Sequence, residues 1–196
     1  MIAHIAGQFV RRDPTQVVIE VSGLGYEVHI SLQTYDAIKN LTGGKLFTYL
    51  HTTGDSQTLY GFASLAEKQW FLYLIGVNGV GPRVAMTILS SLTPDELQHA
   101  ILQQSVAMLQ AVKGIGAKVA QRIILELGAK ANELAIGQVT VSTEVLGHGS
   151  VHQEALAALV RLGIPKSQGE KAILHVIRTH PGELSVEQVI KMALKG

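Results

Sequence analysis

The chain has 196 residues, 47% of them hydrophobic and 16% charged, with a net charge of +1. That balance suits folded protein, long enough for one large domain or two to three small ones, and it argues against a partner held by a general positive field. Cysteine is absent, which excludes disulfides, thiol catalysis and cysteine-ligated zinc.

The first thirteen residues, "MIAHIAGQFVRRD", have no basic segment ahead of their apolar ones and soon alternate like a strand. No apolar run approaches the roughly eighteen residues of a membrane span. The expectation is a cytoplasmic protein with no signal peptide and no membrane association. Four more strand-like runs follow, "QVVIEV", "YEVHIS", "LFTYLHT" and "TLYGF", rich in β-branched and aromatic residues. Turn signals separate them, and one short helical run, "LQTYDAIKNL", precedes the fourth strand. Five short strands within residues 1–62 predict a small OB-like β-barrel.

At Ser64 the pattern changes. "SLAE" reads as a capping box, in which Ser64 accepts from the Glu67 amide and Glu67 reaches back to Ser64. Leu65, Phe71, Leu72, Leu74 and Ile75 then recur at helical spacing. "TPDE" is a second start signal, with Thr93 as N-cap and Pro94 at the first helical position. Residues 63–128 read as about five short helices. Residues 129–150 show no sustained periodicity and close on "GHGS", and they are expected to form a flexible linker. Residues 151–196 return to three short helices, the first capped by Gly163. The fold class is thus α+β and multidomain.

Within the helical segment one phrase occurs twice. "VNGVGPRVA" opens at Val77 and "VKGIGAKVA" opens at Val112. In each copy a helix runs into Gly-Val-Gly or Gly-Ile-Gly and another helix follows. Gly79, Gly81, Gly114 and Gly116 allow unusual dihedrals and close approach. Backbone amides at the start of the next helix, where the macrodipole is positive, form a phosphate-binding arrangement. Val80 and Ile115 can point inward and lock the helices together. Arg83 and Lys118 follow each turn within reach of a phosphate. Arg122 lies one helical turn past Lys118. Residues 63–130 also carry the only basic surplus in the chain, six basic groups against four acidic. The alternatives are a tight turn that binds nothing and a nucleotide loop. A nucleotide loop would need a strand before the glycines and a longer glycine pattern.

Both copies resemble helix-hairpin-helix motifs, which hold DNA backbones without reading sequence. In the order "IEVSGLGYEVHI", "TLYGF", "NGVGPRVAMTIL", "VKGIGAKVAQRIILEL" and "EALAALVRLGI", the whole chain resembles the RuvA family of bacterial proteins that bind four-way (Holliday) DNA junctions. The resemblance implies a tandem helix-hairpin-helix domain over 63–128 and a C-terminal three-helix, UBA-like domain over 151–196. It implies a non-enzymatic scaffold that needs no cofactor and forms a homotetramer, with one or two tetramers on each junction. It also implies recruitment of the hexameric RuvB ATPase, with the RuvC resolvase in the larger complex. By position, Leu159, Leu162 and Ile164 match the apolar contact to that ATPase, or else they are simply core. Of these, Ile164 is expected to be the more exposed, because it follows the helix-ending Gly163.

Two features depart from the family pattern. The second hairpin usually has Pro and Thr where this chain has Lys113 and Val119, and Lys113 adds a candidate phosphate contact. Family members also carry an acidic pin, often two adjacent carboxylates, in the hairpin before "LYGF". Here that pair reads Gly54-Asp55, which leaves Asp55 as the single pin residue or as an ordinary turn residue.

Other chemistry is thinly supported. The eight histidines are scattered, and only His148 and His152 have helical spacing. No nucleophile elbow and no Gly-Lys-Ser/Thr loop occurs. A nuclease or glycosylase should show a carboxylate cluster beside the hairpins, yet Asp95, Glu96 and Glu126 are the only acids between Lys68 and Lys130. A protein-only adaptor remains the third class. It would bind no DNA and so show no salt-dependent DNA affinity.

Overall fold

The computed structural model describes residues 1–141, 148–180 and 184–194. The chain divides into two compact units, Met1–Gln138 and Val139–Gly196.

The first unit opens with strands β1 (His4–Asp13), β2 (Gln16–Val21), β3 (Leu24–Ile30), β4 (Gly43–Thr53) and β5 (Ser56–Phe62), with helix α1 (Leu32–Ile38) between β3 and β4. They close into a barrel in the order β1-β2-β3-β5-β4, with β3 and β5 parallel. The predicted OB-like barrel is therefore present. Of the turn-like "TGG" at 42–44, ahead of the fourth strand, Gly43 and Gly44 instead begin β4. Gly43 sits where β4 crosses β1 so closely that a Cβ there would lie 2.6 Å from the Gly7 carbonyl oxygen. Ile5, Phe9, Val17, Ile19, Val28, Ile30 and Leu46 fill the barrel.

Helices α2 (Leu65–Ile75), α3 (Pro82–Ser91), α4 (Pro94–Leu102), α5 (Val106–Gln110) and α6 (Ala117–Val141) follow. They do not form a separate body. Phe71 of α2 packs on the outer face of the barrel, with ring centroids 4.9 Å from Phe62, 5.2 Å from Tyr60 and 5.6 Å from Tyr49. Those aromatics share one core with Trp70, Leu74, Ile88, Leu97 and Ile123. Leu65, read as part of the apolar stripe, is 63% exposed.

One polar cluster fastens the barrel to this layer. Ser64 caps α2 as expected and accepts from the Glu67 amide at 3.1 Å. The Glu67 carboxylate does not return to Ser64. It is buried, and it accepts from Ser31 Oγ and, at 2.7 Å, from Thr34 Oγ1. Each hydroxyl also accepts from an amide, Ser31 from Thr34 N at 3.0 Å and Thr34 from Ala63 N at 2.9 Å. Each keeps its hydrogen and a second lone pair for the group at position 67. Leu32 N, in the same helix, donates to Ser90 Oγ of α3 at 3.1 Å.

Helix α6 corrects the expected linker boundary. It runs on to Val141, so residues 129–141 are helical. The reason is tertiary. Leu127 and Ala131 are buried, and Leu134 packs against the same core. Buried Gln98 of α4 donates through Nε2 to the Ala131 carbonyl at 2.9 Å. The rest of the expected linker divides: residues 148–150 are helical and 142–147 lie outside the described residues, as does the "PG" at 181–182 that should stop the second helix of the tail.

In the second unit, α7 (His148–Arg161), α8 (Lys166–Thr179) and α9 (Val186–Ala193) surround Ala155, Leu159, Ile173 and Val189. Gly163 ends α7 with φ +91°, while Ile164 N bonds back to the Leu159 carbonyl at 3.1 Å. Ser185 and Gln188 form a reciprocal capping box on α9. Leu159 is wholly buried, so it cannot touch a partner while this unit is folded. Ile164, expected towards exposure, instead packs against the same core. Leu162 is 63% exposed.

Burial pushes the Glu67 carboxyl above its ordinary range, against the pull of the Ser31, Thr34 and Ala63 hydrogen bonds. A raised folded pKa means that folding favours the protonated form. The associated stability is full below the unfolded pKa and is lost as pH rises through the folded one. Measured by denaturant unfolding, Glu67→Gln should therefore gain stability relative to the parent chain between the acidic carboxylate range and neutral pH. Glu67→Ala, which strands two buried hydroxyls, should cost about 2–4 kcal/mol.

Candidate nucleic-acid interface

The two glycine phrases fold into the same turn. Gly79 and Gly114 take φ +94° and +90°, in the left-handed region that only glycine enters freely. Val80 N bonds back to the Val77 carbonyl at 3.0 Å, and Ile115 N to that of Val112 at 3.1 Å. Helix bonding then starts from Ala85 N to Gly81 O and from Ala120 N to Gly116 O, both at 3.0 Å. The sequence dictates this repetition: Val or Ile between the glycines is the one apolar residue available to plug the gap. Val80 and Ile115 are accordingly buried, as expected.

The glycines and cations of each turn face outward. Gly79, Gly81, Arg83, Lys113, Gly114, Gly116 and Lys118 are exposed. A Cβ added at Gly81, Gly114 or Gly116 would meet no protein atom within 4 Å. Gly81 caps α3 with no side-chain hydrogen bond, and Pro82 sits at the first helical position. The first-turn amides of α3 are thus unclaimed by any cap and lie at the positive end of the helix dipole. A tetrahedral anion fits that arrangement, with Arg83 beside it. The second turn offers the same geometry with Lys118, and Lys113 precedes its first glycine.

The two turns adjoin each other. A Cβ on Gly79 would lie 4.0 Å from Val119 Cγ2. Arg122, expected as a further phosphate ligand, is exposed and also makes two contacts within the protein. Its Nη1 donates to the Asn78 carbonyl of the first turn at 3.0 Å, and its Nε lies 3.8 Å from Glu126 Oε1. Arg122 therefore ties the second motif to the first. Nothing in the spacing of Asn78 and Arg122, 44 residues apart, signals that contact.

Asp55 is exposed at the β4–β5 connection, where Thr53 pairs with Ser56 across a two-residue turn. Gly54 has φ +54°, so this tight turn favours glycine at the position where a second carboxylate would stand. Leu162 lies on the surface of the C-terminal unit, and Val160 is exposed as well. The side chain of His148 lies outside the described residues.

Three family models cover nearly the whole chain: the RuvA N-terminal domain over residues 1–61, a SAM-like helix-hairpin-helix tandem over 71–129, and the RuvA C-terminal domain over 150–196. The chain is 53% identical over 197 residues to the Holliday junction branch migration complex subunit RuvA of Amoebophilus asiaticus, covering 100% of both. It is 42% identical to the protein of that name from Cytophaga hutchinsonii and 44% identical to that from Christiangramia forsetii, covering 100% of this chain and 99% of each relative. With an OB-like barrel, a doubled glycine turn and a three-helix unit in that order, the chain belongs to the RuvA family.

Proposed function

We propose that this chain binds four-way (Holliday) DNA junctions through their backbones, without reading sequence, and holds them open for branch migration. The observation that carries this reading is the doubled turn. Two similar anion-receptive helix starts, each with a cation beside it, adjoin each other within one compact unit. Backbone contacts position a duplex but carry no sequence information.

On this reading Gly79, Gly81, Arg83, Lys113, Gly114, Gly116 and Lys118 contact phosphate, while Val80, Ile115 and Arg122 hold those groups in place. Asp55 acts as a single-charge pin that repels phosphate at the crossover. The chain is a non-catalytic subunit of a cytoplasmic complex. Self-association into a homotetramer supplies fourfold symmetry, the ATP-driven step belongs to RuvB, and RuvC resolves the junction. Leu162 is the member of the predicted apolar trio best placed to meet RuvB, since its side chain is the one left in solvent.

The primary experiment compares affinity for a four-way junction and a linear duplex at two salt concentrations, with particle size measured alongside. Junction preference by a multimer is expected, and a monomer without preference would overturn the reading. Arg83→Ala and Lys118→Ala should weaken binding to all sequences alike, each lowering the slope of log affinity against log salt by about one. Asp55→Asn should reduce discrimination between junction and duplex in gel shifts, and unchanged selectivity would remove the pin assignment. Leu162→Ala should weaken co-purification with RuvB while altering stability by no more than about 0.5 kcal/mol. Leu159→Ala should instead unfold the C-terminal unit, at a cost of about 2–5 kcal/mol.

A further inference from the structure

A cleft of about 740 Å³ opens between the barrel and the first turn of α3. Its floor is Tyr60 of β5, and its walls include His29 of β3, His51 of β4, and Gly81 and Arg83 of the first glycine turn. The strand registers explain the grouping. Val28 and Ile30 point into the barrel, so His29 points out, opposite Tyr60 on the parallel neighbour β5. His51 stands opposite Thr58 on the other side. The ring centroids of His29 and His51 lie 5.7 Å and 6.5 Å from that of Tyr60.

The chemistry of the lining is one-sided. None of the residues that line the cleft is acidic, whereas arginine, two imidazoles, a phenol and Thr58 are all able to donate. Burial raises the Tyr60 hydroxyl above its usual pKa, and the nearby Arg83 charge pulls it back. The phenol therefore stays protonated, as a donor. The row also has a direction. It starts at the anion-receptive turn of Gly81 and Arg83, passes Tyr60 and His51, and continues through Thr53, whose Oγ1 lies 2.8 Å from His51 Nε2. Thr53 precedes the turn that carries Asp55. A volume of this size accepts a nucleotide-sized group.

We propose that this cleft is a separate backbone-phosphate subsite, in which His51, His29 and Tyr60 donate to a phosphate of the strand running from the first glycine turn towards the Asp55 turn. The assignment rests on the junction-binding reading above and adds to it a third point of backbone contact. It gives the barrel a positive role, besides repulsion at Asp55, in guiding one strand away from its complement.

The test uses the full-length chain and synthetic four-way junctions. In each junction a single phosphate near the crossover is replaced by an uncharged methylphosphonate. His51→Phe preserves ring packing against Tyr49 and Tyr60 and removes the N–H donor. Thr58→Glu places a carboxylate in the cleft. His51→Phe should weaken junction binding about 10-fold, the usual worth of a charge-assisted hydrogen bond, with an unchanged melting temperature. At one methylphosphonate position the parent chain should lose affinity, while His51→Phe should lose no more. Thr58→Glu should be weaker still on the unmodified junction and should recover part of the loss on the junction modified at that position.

If His51→Phe and every methylphosphonate act independently, the subsite is wrong. A variant that changes particle size rather than phosphate coupling would also overturn it, because a second copy of the chain would then fill the cleft. Parent protein that fails to prefer junctions at all would count against the broader reading instead, so the two failures are distinguishable.

Discussion

The architecture of the first unit turns on one buried carboxylate. Glu67 lies between the first turn of α2 and the start of α1, and it accepts the hydrogens of Ser31 and Thr34. A buried ionised group is costly unless its acceptor sites are filled. Here two hydroxyls fill them, and those hydroxyls are themselves fixed by backbone amides. The arrangement has little freedom, because shifting α1 or α2 would break hydrogen bonds in a dry environment. With the Phe71 aromatic stack and the Leu32–Ser90 bond, it holds the helical layer in one place on the barrel. The first glycine turn follows directly from α2, so its orientation relative to the β4–β5 turn descends from this cluster.

Beyond that anchor, the helical layer works by repetition. Two turns of one geometry each bury a β-branched residue and expose glycines and a cation. Arg122 connects them through the Asn78 carbonyl. A ligand with regularly spaced anions meets such a surface without needing any particular base, which is the physical meaning of sequence independence. The modest net charge of +1 is consistent with this economy, since a few placed contacts replace a broad positive field.

Much of this was readable from residue order. The glycine phrases, the inward Val80 and Ile115, the Thr93 N-cap and the Gly163 helix stop are all local signals, and local chemistry decides them. The errors arise where distant segments compete. Glu67 stands three residues after a Ser N-cap, which is the signature of a reciprocal box, yet hydroxyls more than thirty residues away claim its side chain. The end of α6 looked aperiodic, because Ala131 buries little by itself and matters only through Gln98 and the core behind it. His29, His51 and Tyr60 lie far apart in sequence, and only closure of the barrel makes them neighbours.

Gly54 shows how backbone shape can limit charge. Its φ of +54° belongs to a connection only two residues long. A glutamate introduced there would carry a left-handed strain of roughly 1–2 kcal/mol, whatever it gained electrostatically. A second carboxylate at this tip therefore comes either with a longer loop, which moves the charge outward, or with a weaker hairpin. Charge, reach and hairpin stability at this tip are thus one coupled choice.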